Sequence, residues 1–241
     1  KLPRTPYGVR AIPCHEAPRS TTAYYMPPPA DGTQPGWFYA NTFDLQSRPI
    51  YEMEALALHE AVPGHHHQLA LQGEMEGLPD WRKITHFTAY IEGWGLYAES
   101  LGDQMGFYQD LYSRFGKLSY GMWRALRLVV DTGIHQLGWT RDQAIQVMLE
   151  NSALTRKNVE AEVDRYIAWP GQALAYKVGE LEIKALVKQA KETLGTRFDI
   201  RGFHDHLLAE GSMPLEILRM RMESWIESQK GSGEPASPAQ D

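Results

Sequence analysis

A long series of helix signals, running from Pro49 to Gln229, limits the folds that this sequence can adopt. Apolar residues recur at helical spacing, and capping residues, glycines and prolines divide the series into segments. The first predicted helix contains His59 and is distorted at Pro63-Gly64, because proline removes a helical hydrogen bond. Further helices are predicted over residues 80–102, 108–135, 140–149, 155–168, 172–194, 200–209 and 214–229.

The first 49 residues have a different character, being rich in proline, glycine and aromatic residues. Two stretches, 21–26 and 36–42, contain residues that favour strands. Between them, Pro27-Pro28-Pro29 and Asp31-Gly32 favour a turn rather than a strand. We therefore expect a mainly α fold with a short β-hairpin or edge strands at the lip of a cleft. Residues 1–230 are predicted to form a single domain, and residues 231–241, rich in Gly, Ser and Pro, a disordered tail.

The net charge of -6 over 241 residues argues against a nucleic-acid partner, which usually requires a basic face. Cys14 is the single cysteine, so no internal disulfide can form. No run of about 18 apolar residues is present, so we expect no transmembrane segment. Localisation stays open between a periplasmic or secreted protein and a cytoplasmic one. Because the chain begins at Lys1, we expect it to be the C-terminal part of a longer protein, whose N-terminal part would be its partner.

The segment from His59 to Gln68 concentrates residues that bind metals. Zinc peptidases commonly present two histidines one helical turn apart, with a glutamate beside the first as general base. Here His59 and Glu60 fit the first half of that pattern, but Pro63 occupies the position of the second histidine. A regular helix therefore cannot provide the usual pair of ligands.

Three further imidazoles follow Pro63-Gly64, at His65, His66 and His67. A bulged turn at the Pro-Gly step would bring a later histidine back beside the first. We favour His65 as the second ligand because it needs the smaller insertion, and His66 is the alternative. His67 is expected to face solvent.

Glu92 is the leading candidate for the third ligand. It lies in an apolar helical context, where a buried carboxylate needs a neutralising partner such as a divalent metal. Gly93 and Gly95 disfavour a helix interior, so we expect another backbone to approach closely there. Glu99, two turns beyond Glu92, is expected to support a ligand histidine.

The predicted chemistry is hydrolysis of a peptide bond at a Zn²⁺ ion, with Glu60 moving a proton from water to the leaving amine. Three residues are candidate donors to the oxyanion, of which Tyr176 is the first choice: His135, Tyr166 and Tyr176. Arg124 and Arg127 either receive a substrate carboxylate or pair with helix glutamates.

At these motifs the sequence resembles the bacterial DUF885 family, which has a His-Glu-x-x-Pro-Gly-His-His string followed by a Glu-Gly-Trp helix. The resemblance extends over nearly the whole chain. Four further stretches contribute to it: Tyr24-Tyr25, the Gly36-Trp37-Phe38-Tyr39 string, residues 131–135 and residues 170–177. Members of this family are usually about twice as long, which is consistent with the abrupt start of the chain.

The string that begins at Glu92 is also similar to one in gluzincin aminopeptidases, in which the glutamate before glycine binds zinc. Family membership implies a metallopeptidase of zincin-like fold, and we expect its substrate to be a peptide or a small peptide-like molecule. Two other functions remain open. One is an iron protein with two histidines and one carboxylate as ligands, which would not need Glu60. The other is a catalytically inactive peptide-binding module.

Overall fold

The computed structural model describes residues 1–29 and 32–231. The fold is mainly helical, as predicted, with a small sheet near the N-terminus. Within the described residues, none of the helices combines the length and apolar character that a bilayer span requires. Asp31 of the predicted turn and residues 232–241 of the predicted tail lie outside the described residues, whereas Gly231 ends the last helix.

The sheet contains the strands β1 (Tyr7–Ala11), β2 (Ala23–Met26) and β3 (Gly36–Ala40), in the order β1-β3-β2. Strands β2 and β3 are antiparallel, which confirms the predicted hairpin. Strand β1 pairs with β3 in parallel and was not predicted. It is short and mostly exposed, so its sequence lacks the alternation of apolar and polar residues that marks a strand. Because β3 is the central strand in the order β1-β3-β2, strand β2 lies at one edge of the sheet.

The α-helices of the described residues follow the predicted series, except that breaks at residues 61–64 and 85–87 each divide a predicted helix in two. In chain order they are α1 (Met53–Glu60), α2 (His65–Gly73), α3 (Asp80–Ile84), α4 (Thr88–Met105), α5 (Leu111–Leu137), α6 (Arg141–Asn151), α7 (Arg156–Ala168), α8 (Ala175–Leu194), α9 (Ile200–Leu208) and α10 (Leu215–Gly231).

Local capping explains several of these boundaries. Thr140 and Gln143 form the predicted capping box at the start of α6, each side chain bonding to the other residue's backbone N–H. The side chain of Thr155 accepts a hydrogen bond from the backbone N–H of Asn158 and caps α7, as predicted. These boundaries were predictable because the residues that form them are close in sequence.

The single helix predicted over residues 80–102 is wrong, because the chain is extended between α3 and α4. Two distant residues stabilise the break. The side-chain amide of Gln72 donates to the backbone carbonyls of the α3 end, including that of Lys83 at 2.9 Å. The backbone N–H of Phe87 donates to Ser212 Oγ at 2.7 Å. These tertiary hydrogen bonds replace helical ones that a continuous helix would have made.

Two hydrophobic clusters flank α4. One contains residues of α4, α8, α9 and α10, with Trp94, Ile183 and Phe203 among its buried side chains. The other contains residues of α1, α5, α6 and α7, with Leu58 and Trp123 among them. Helix α4 also packs directly on both α1 and α8. It therefore connects the helix that carries His59 to the cluster formed with α8, α9 and α10.

The contact between α4 and α8 depends on two glycines. A Cβ atom added to Gly93 would lie 2.5 Å from Gly179 Cα, and one added to Gly179 would lie 1.9 Å from the carbonyl oxygen of Ala89. Neither backbone leaves room for a methyl group. The backbone approach expected at Gly93 is thus confirmed, and it fixes the depth at which α4 lies against α8.

Replacing Gly93 with alanine is expected to lower the free energy of unfolding by about 1–3 kcal/mol, because the added methyl overlaps the backbone of α8. Gly121, in α5, is a matched control because an added Cβ meets nothing within 4 Å. Gly121→Ala is expected to be neutral or to raise that free energy by up to about 1 kcal/mol. Urea unfolding followed by circular dichroism measures both variants. Equal stabilities would contradict the role assigned to the glycine contact.

Candidate metal centre

The histidine segment is divided between two helices. The distortion predicted at Pro63-Gly64 is a complete break, with α1 ending at Glu60 and α2 beginning at His65. A Cβ atom on Gly64 would lie 1.8 Å from the carbonyl oxygen of His59, so only glycine fits against the end of α1. This contact brings the His65 ring beside that of His59, with centroids 4.6 Å apart and the planes nearly perpendicular.

Glu92, on α4, completes a group of three potential ligands. Its Oε2 atom lies 3.6 Å from His59 Nε2 and 3.2 Å from His65 Nε2. All three ligand atoms lie within 4.8 Å of one another. With zinc–ligand bonds of about 2.0–2.1 Å, tetrahedral coordination separates ligand atoms by about 3.3 Å. Two of the three separations are close to that value, so the group is a candidate site for a tetrahedral metal ion.

A glycine on α4 makes room for both imidazoles. A Cβ atom on Gly95 would lie 2.9 Å from ring atoms of His59 and of His65. The sequence predicted the close approach of another backbone at this position, but side chains occupy the space instead. Gly95 therefore lets the two rings lie against α4, near Glu92.

The other two histidines of the segment lie outside the group. His66 is buried, and its Nδ1 atom lies 2.8 Å from the hydroxyl oxygen of Tyr25 on β2. The structure thus favours His65 over His66 as the second ligand. His67 was expected to face solvent, but its ring stacks on that of Trp94. Burial lowers the pKa of His67 to about 4.

Glu99 contacts the far side of the His59 ring. Its Oε1 atom lies 2.8 Å from His59 Nδ1, and Arg124 donates a hydrogen bond of 2.9 Å to the same oxygen. All three side chains are buried. The contact orients the ring so that its Nε2 atom points toward Glu92, as a carboxylate behind a ligand histidine commonly does. Arg124 therefore pairs with a helix glutamate, one of its two predicted roles.

The charges of this cluster are strongly coupled. Burial acts to lower the pKa of His59, but the carboxylates of Glu92 and Glu99 outweigh it and raise that pKa to about 9. Burial acts to raise the pKa of Glu92, yet the imidazoles of His59 and His65 hold it well below its usual range. Each group thus favours the charged form of the other, and such strongly coupled titratable groups are typical of functional sites.

Glu60 lies beside the group without taking part in it. The residue is 7% exposed, and its Oε2 atom has no hydrogen-bond partner among the described residues. Burial raises the pKa of this carboxyl, while the imidazoles of His65 and His59 act in the opposite direction. An unpartnered buried carboxylate oxygen is costly to keep, which marks Glu60 as a functional candidate.

The three candidate oxyanion donors have different positions. Tyr176, on α8, is buried, and its ring stacks on that of His59 with centroids 6.1 Å apart. Tyr166 is also buried, but its hydroxyl oxygen accepts hydrogen bonds from Trp123 and Arg127. His135 is exposed on α5, and its Nε2 atom contacts the backbone carbonyl of Tyr166 at 2.9 Å.

The structure therefore does not support the catalytic role predicted for His135. Helix α5 turns this imidazole toward the backbone of α7, and it does not line the cleft described below. Tyr176 lies on the cleft wall beside His59 and Glu60. Of the three candidates, it is the one that the fold brings to the group of His59, His65 and Glu92.

The group opens into a cleft of about 700 Å³. Its lining includes β2 with the residues around it, part of α4, and the segment between α7 and α8. Arg165, on α7, also lines this cleft and was not predicted as a site residue. A lone arginine on an amphipathic helix carries no sequence signal that separates it from a solvated side chain.

Comparisons with known proteins identify relatives of this chain. The family model of DUF885, described as a bacterial protein of unknown function, matches residues 1–222. A crystal structure of a "putative lipoprotein" from Colwellia psychrerythraea is 40% identical, with a TM-score of 0.92 over 95% of this chain. A "putative lipoprotein of unknown function" from Shewanella oneidensis is 25% identical, with a TM-score of 0.76 over 90% of this chain. The matched region covers 39% and 40% of those two chains, respectively. None of the curated proteins matches.

Glu99→Gln is expected to weaken Zn²⁺ binding by about 10- to 100-fold, because the neutral amide holds the His59 ring less firmly. Glu162→Gln is the matched control: Glu162 is also buried and bound to arginine, but it is not part of the histidine–glutamate group. Competition titration against a coloured chelator measures both affinities. An equal loss in the two variants would show that general destabilisation, rather than ring orientation, controls binding.

Proposed function

The chain belongs to the DUF885 family, and we propose that it is a zinc-dependent hydrolase that cleaves peptide bonds. The observation that carries the proposal is the meeting of His59, His65 and Glu92 in one cleft with Glu60, whose Oε2 atom has no hydrogen-bond partner in the described part of the chain. The zincin-like, gluzincin-type assignment of the fold is part of the same proposal. It is supported by the order of the motifs along the chain, with two histidines preceding a glutamate on a later helix.

The residue types suit a catalytic zinc site. Two imidazoles and one carboxylate are the ligands of several zinc peptidases, and they leave a fourth position for water or substrate. When bound, zinc would act as a Lewis acid toward a peptide carbonyl and lower the pKa of a water molecule. His59, His65 and Glu92 are the residues proposed to hold it.

The chain's own residues would then position and transfer protons. The free Oε2 atom of Glu60 can accept a proton from the attacking water and return it to the leaving amine. The hydroxyl of Tyr176, which lines the same cleft as Glu60, can donate a hydrogen bond to the oxyanion. Glu99 and Arg124 keep the His59 ring in place while this happens.

An edge strand supports a peptide as substrate. The carbonyl of Thr22 accepts a hydrogen bond from the backbone N–H of Asn41. The backbone N–H and C=O groups of Thr22, and of every second residue after it along β2, therefore point toward β3. Those of Ala23 and Tyr25 point to the outer edge, and both residues line the cleft. An extended peptide can pair with such an edge through its main chain, whatever its side chains are.

The remaining part of the longer relatives is a proposed partner. The matched region is about two fifths of the length of both structural relatives. We propose that the corresponding part of the longer protein packs against this chain and completes the substrate cleft.

Metal content tests the proposed site directly. The purified wild-type protein is expected to contain about one zinc per chain, and His59→Ala and Glu92→Ala are each expected to lose it. Elemental analysis measures all three, and circular dichroism checks that the variants fold. A folded wild-type protein that contains no zinc and takes up none when it is added would contradict the proposal.

Replacing Glu60 with glutamine separates hydrolysis from the other two functions. The variant is expected to keep its zinc and to lose about 10²- to 10⁴-fold in turnover of a peptide library, because the proton acceptor is gone. An iron protein would keep both its metal and its activity. A peptide-binding module would show no turnover in either form.

A further inference from the structure

A cluster of arginines lies directly behind the proposed metal site. Arg124, Arg127 and Arg165 line a small inner cavity of about 60 Å³, together with His59 and Glu60. Each of the three arginines has one N–H donor that is buried and has no hydrogen-bond partner among the described residues. These donors are Nε of Arg124, one terminal nitrogen of Arg127, and Nε of Arg165. Buried guanidinium groups usually have their donors satisfied, so the cavity is equipped for an acceptor.

Two of these arginines, Arg127 and Arg165, carry more positive charge than the one carboxylate bound to both of them. Arg127 and Arg165 each donate a hydrogen bond of 2.9 Å to the same oxygen atom, Oε2 of Glu162. Burial acts to raise the pKa of Glu162, but the two guanidinium groups outweigh it and lower that pKa, so the carboxylate is ionised. One carboxylate therefore serves two guanidinium groups. The carboxylate of Glu99 is already shared between Arg124 and His59.

Only one of the three arginines reaches the cleft. The side chains of Arg124 and Arg127 are 4% and 3% exposed, whereas that of Arg165 is 17% exposed. Arg165 lines both the inner cavity and the large cleft. Tyr176 also lines both. Arg165 is therefore within reach of a ligand that extends along the cleft from the proposed metal site.

We propose that Arg165 binds a carboxylate group of the substrate and thereby selects peptides that carry a negative charge close to the cleaved bond. The role as a substrate site rests on the proposed function. A guanidinium fork donates two parallel hydrogen bonds to a carboxylate. Glu162 accepts from only one terminal nitrogen of Arg165, so other donors of the fork are left for a ligand. The negative charge of the ligand would balance the excess charge of the arginine pair. The carboxylate can come from the C-terminus of a peptide or from an acidic side chain.

Two pairs of peptides distinguish these sources. The first pair is N-acetyl-trialanine as the free acid and as the C-terminal amide. The second pair is the amide of N-acetyl-Ala-Glu-Ala and the same peptide with glutamine in place of glutamate. Isothermal titration calorimetry on the zinc-loaded Glu60→Gln protein measures their affinities without hydrolysis. The charged member of at least one pair is expected to bind roughly 10- to 100-fold more tightly, the range of a charge-assisted hydrogen bond.

Variants of the arginine assign the preference to this residue. Arg165→Met in the same background is expected to abolish the preference for the charged peptide, and Arg165→Lys to retain part of it, since lysine keeps the charge but not the fork. Arg156→Met is the control: Arg156 lies on the same helix, its side chain is 64% exposed, and it pairs with Glu160. It is expected to keep the full preference. The lysine variant keeps the test valid if the methionine variant does not fold.

Two results would overturn the proposal. One is equal affinity for the charged and neutral members of both pairs, including no binding of any peptide. The other is a preference that survives unchanged in a folded Arg165 variant. Failure of the proposed function gives a different result, because hydrolysis of the same peptides by the wild-type protein is measured separately. A charge preference without hydrolysis supports carboxylate recognition and contradicts only the peptidase activity.

Discussion

The close approach of helix α4 to its neighbours is the constraint on which this fold and its site depend. At Gly93 the helix lies against the backbone of α8, and at Gly95 it leaves room for the imidazoles that α1 and α2 contribute. Within about one turn of these glycines, the helix presents Glu92 to both imidazole rings and Glu99 to that of His59. A larger residue at either glycine would separate the carboxylates from the imidazoles. Packing and site geometry are therefore determined by the same few positions of one helix.

Much of the fold could be predicted because its determinants are local. The capping box at Thr140 and the turn at Pro63-Gly64 each depend on residues within a few positions of one another. Prediction failed where the determinants are distant in sequence. The break between α3 and α4 depends on Gln72 and Ser212, and the parallel pairing of β1 depends on a strand that lies about 30 residues away. No local pattern distinguishes these segments from an ordinary helix or loop.

The residues of the candidate site also fall into two groups: those that local sequence patterns indicated and those that depend on the three-dimensional fold. The spacing from His59 to His65 and the apolar helix around Glu92 indicated the three residues that the structure brings together. Tyr176 was the first choice over His135, but no local pattern specifies how α5 and α8 are turned within the fold, which decides the position of both side chains. Arg165 was missed altogether. Its significance comes from sharing Glu162 with Arg127 and from facing a cleft, and both properties appear only in three dimensions.

The break between α1 and α2 has a thermodynamic consequence. When two ligand histidines lie on one continuous helix, the helix itself fixes their separation, and a bound ion adds little to its rigidity. Here His59 and His65 lie on different helices and Glu92 on a third. An ion held by all three would act as a cross-link between separate segments, so its binding free energy would be linked to their local opening. Occupancy of the site would then determine how often this part of the molecule opens, in addition to any chemistry that takes place there.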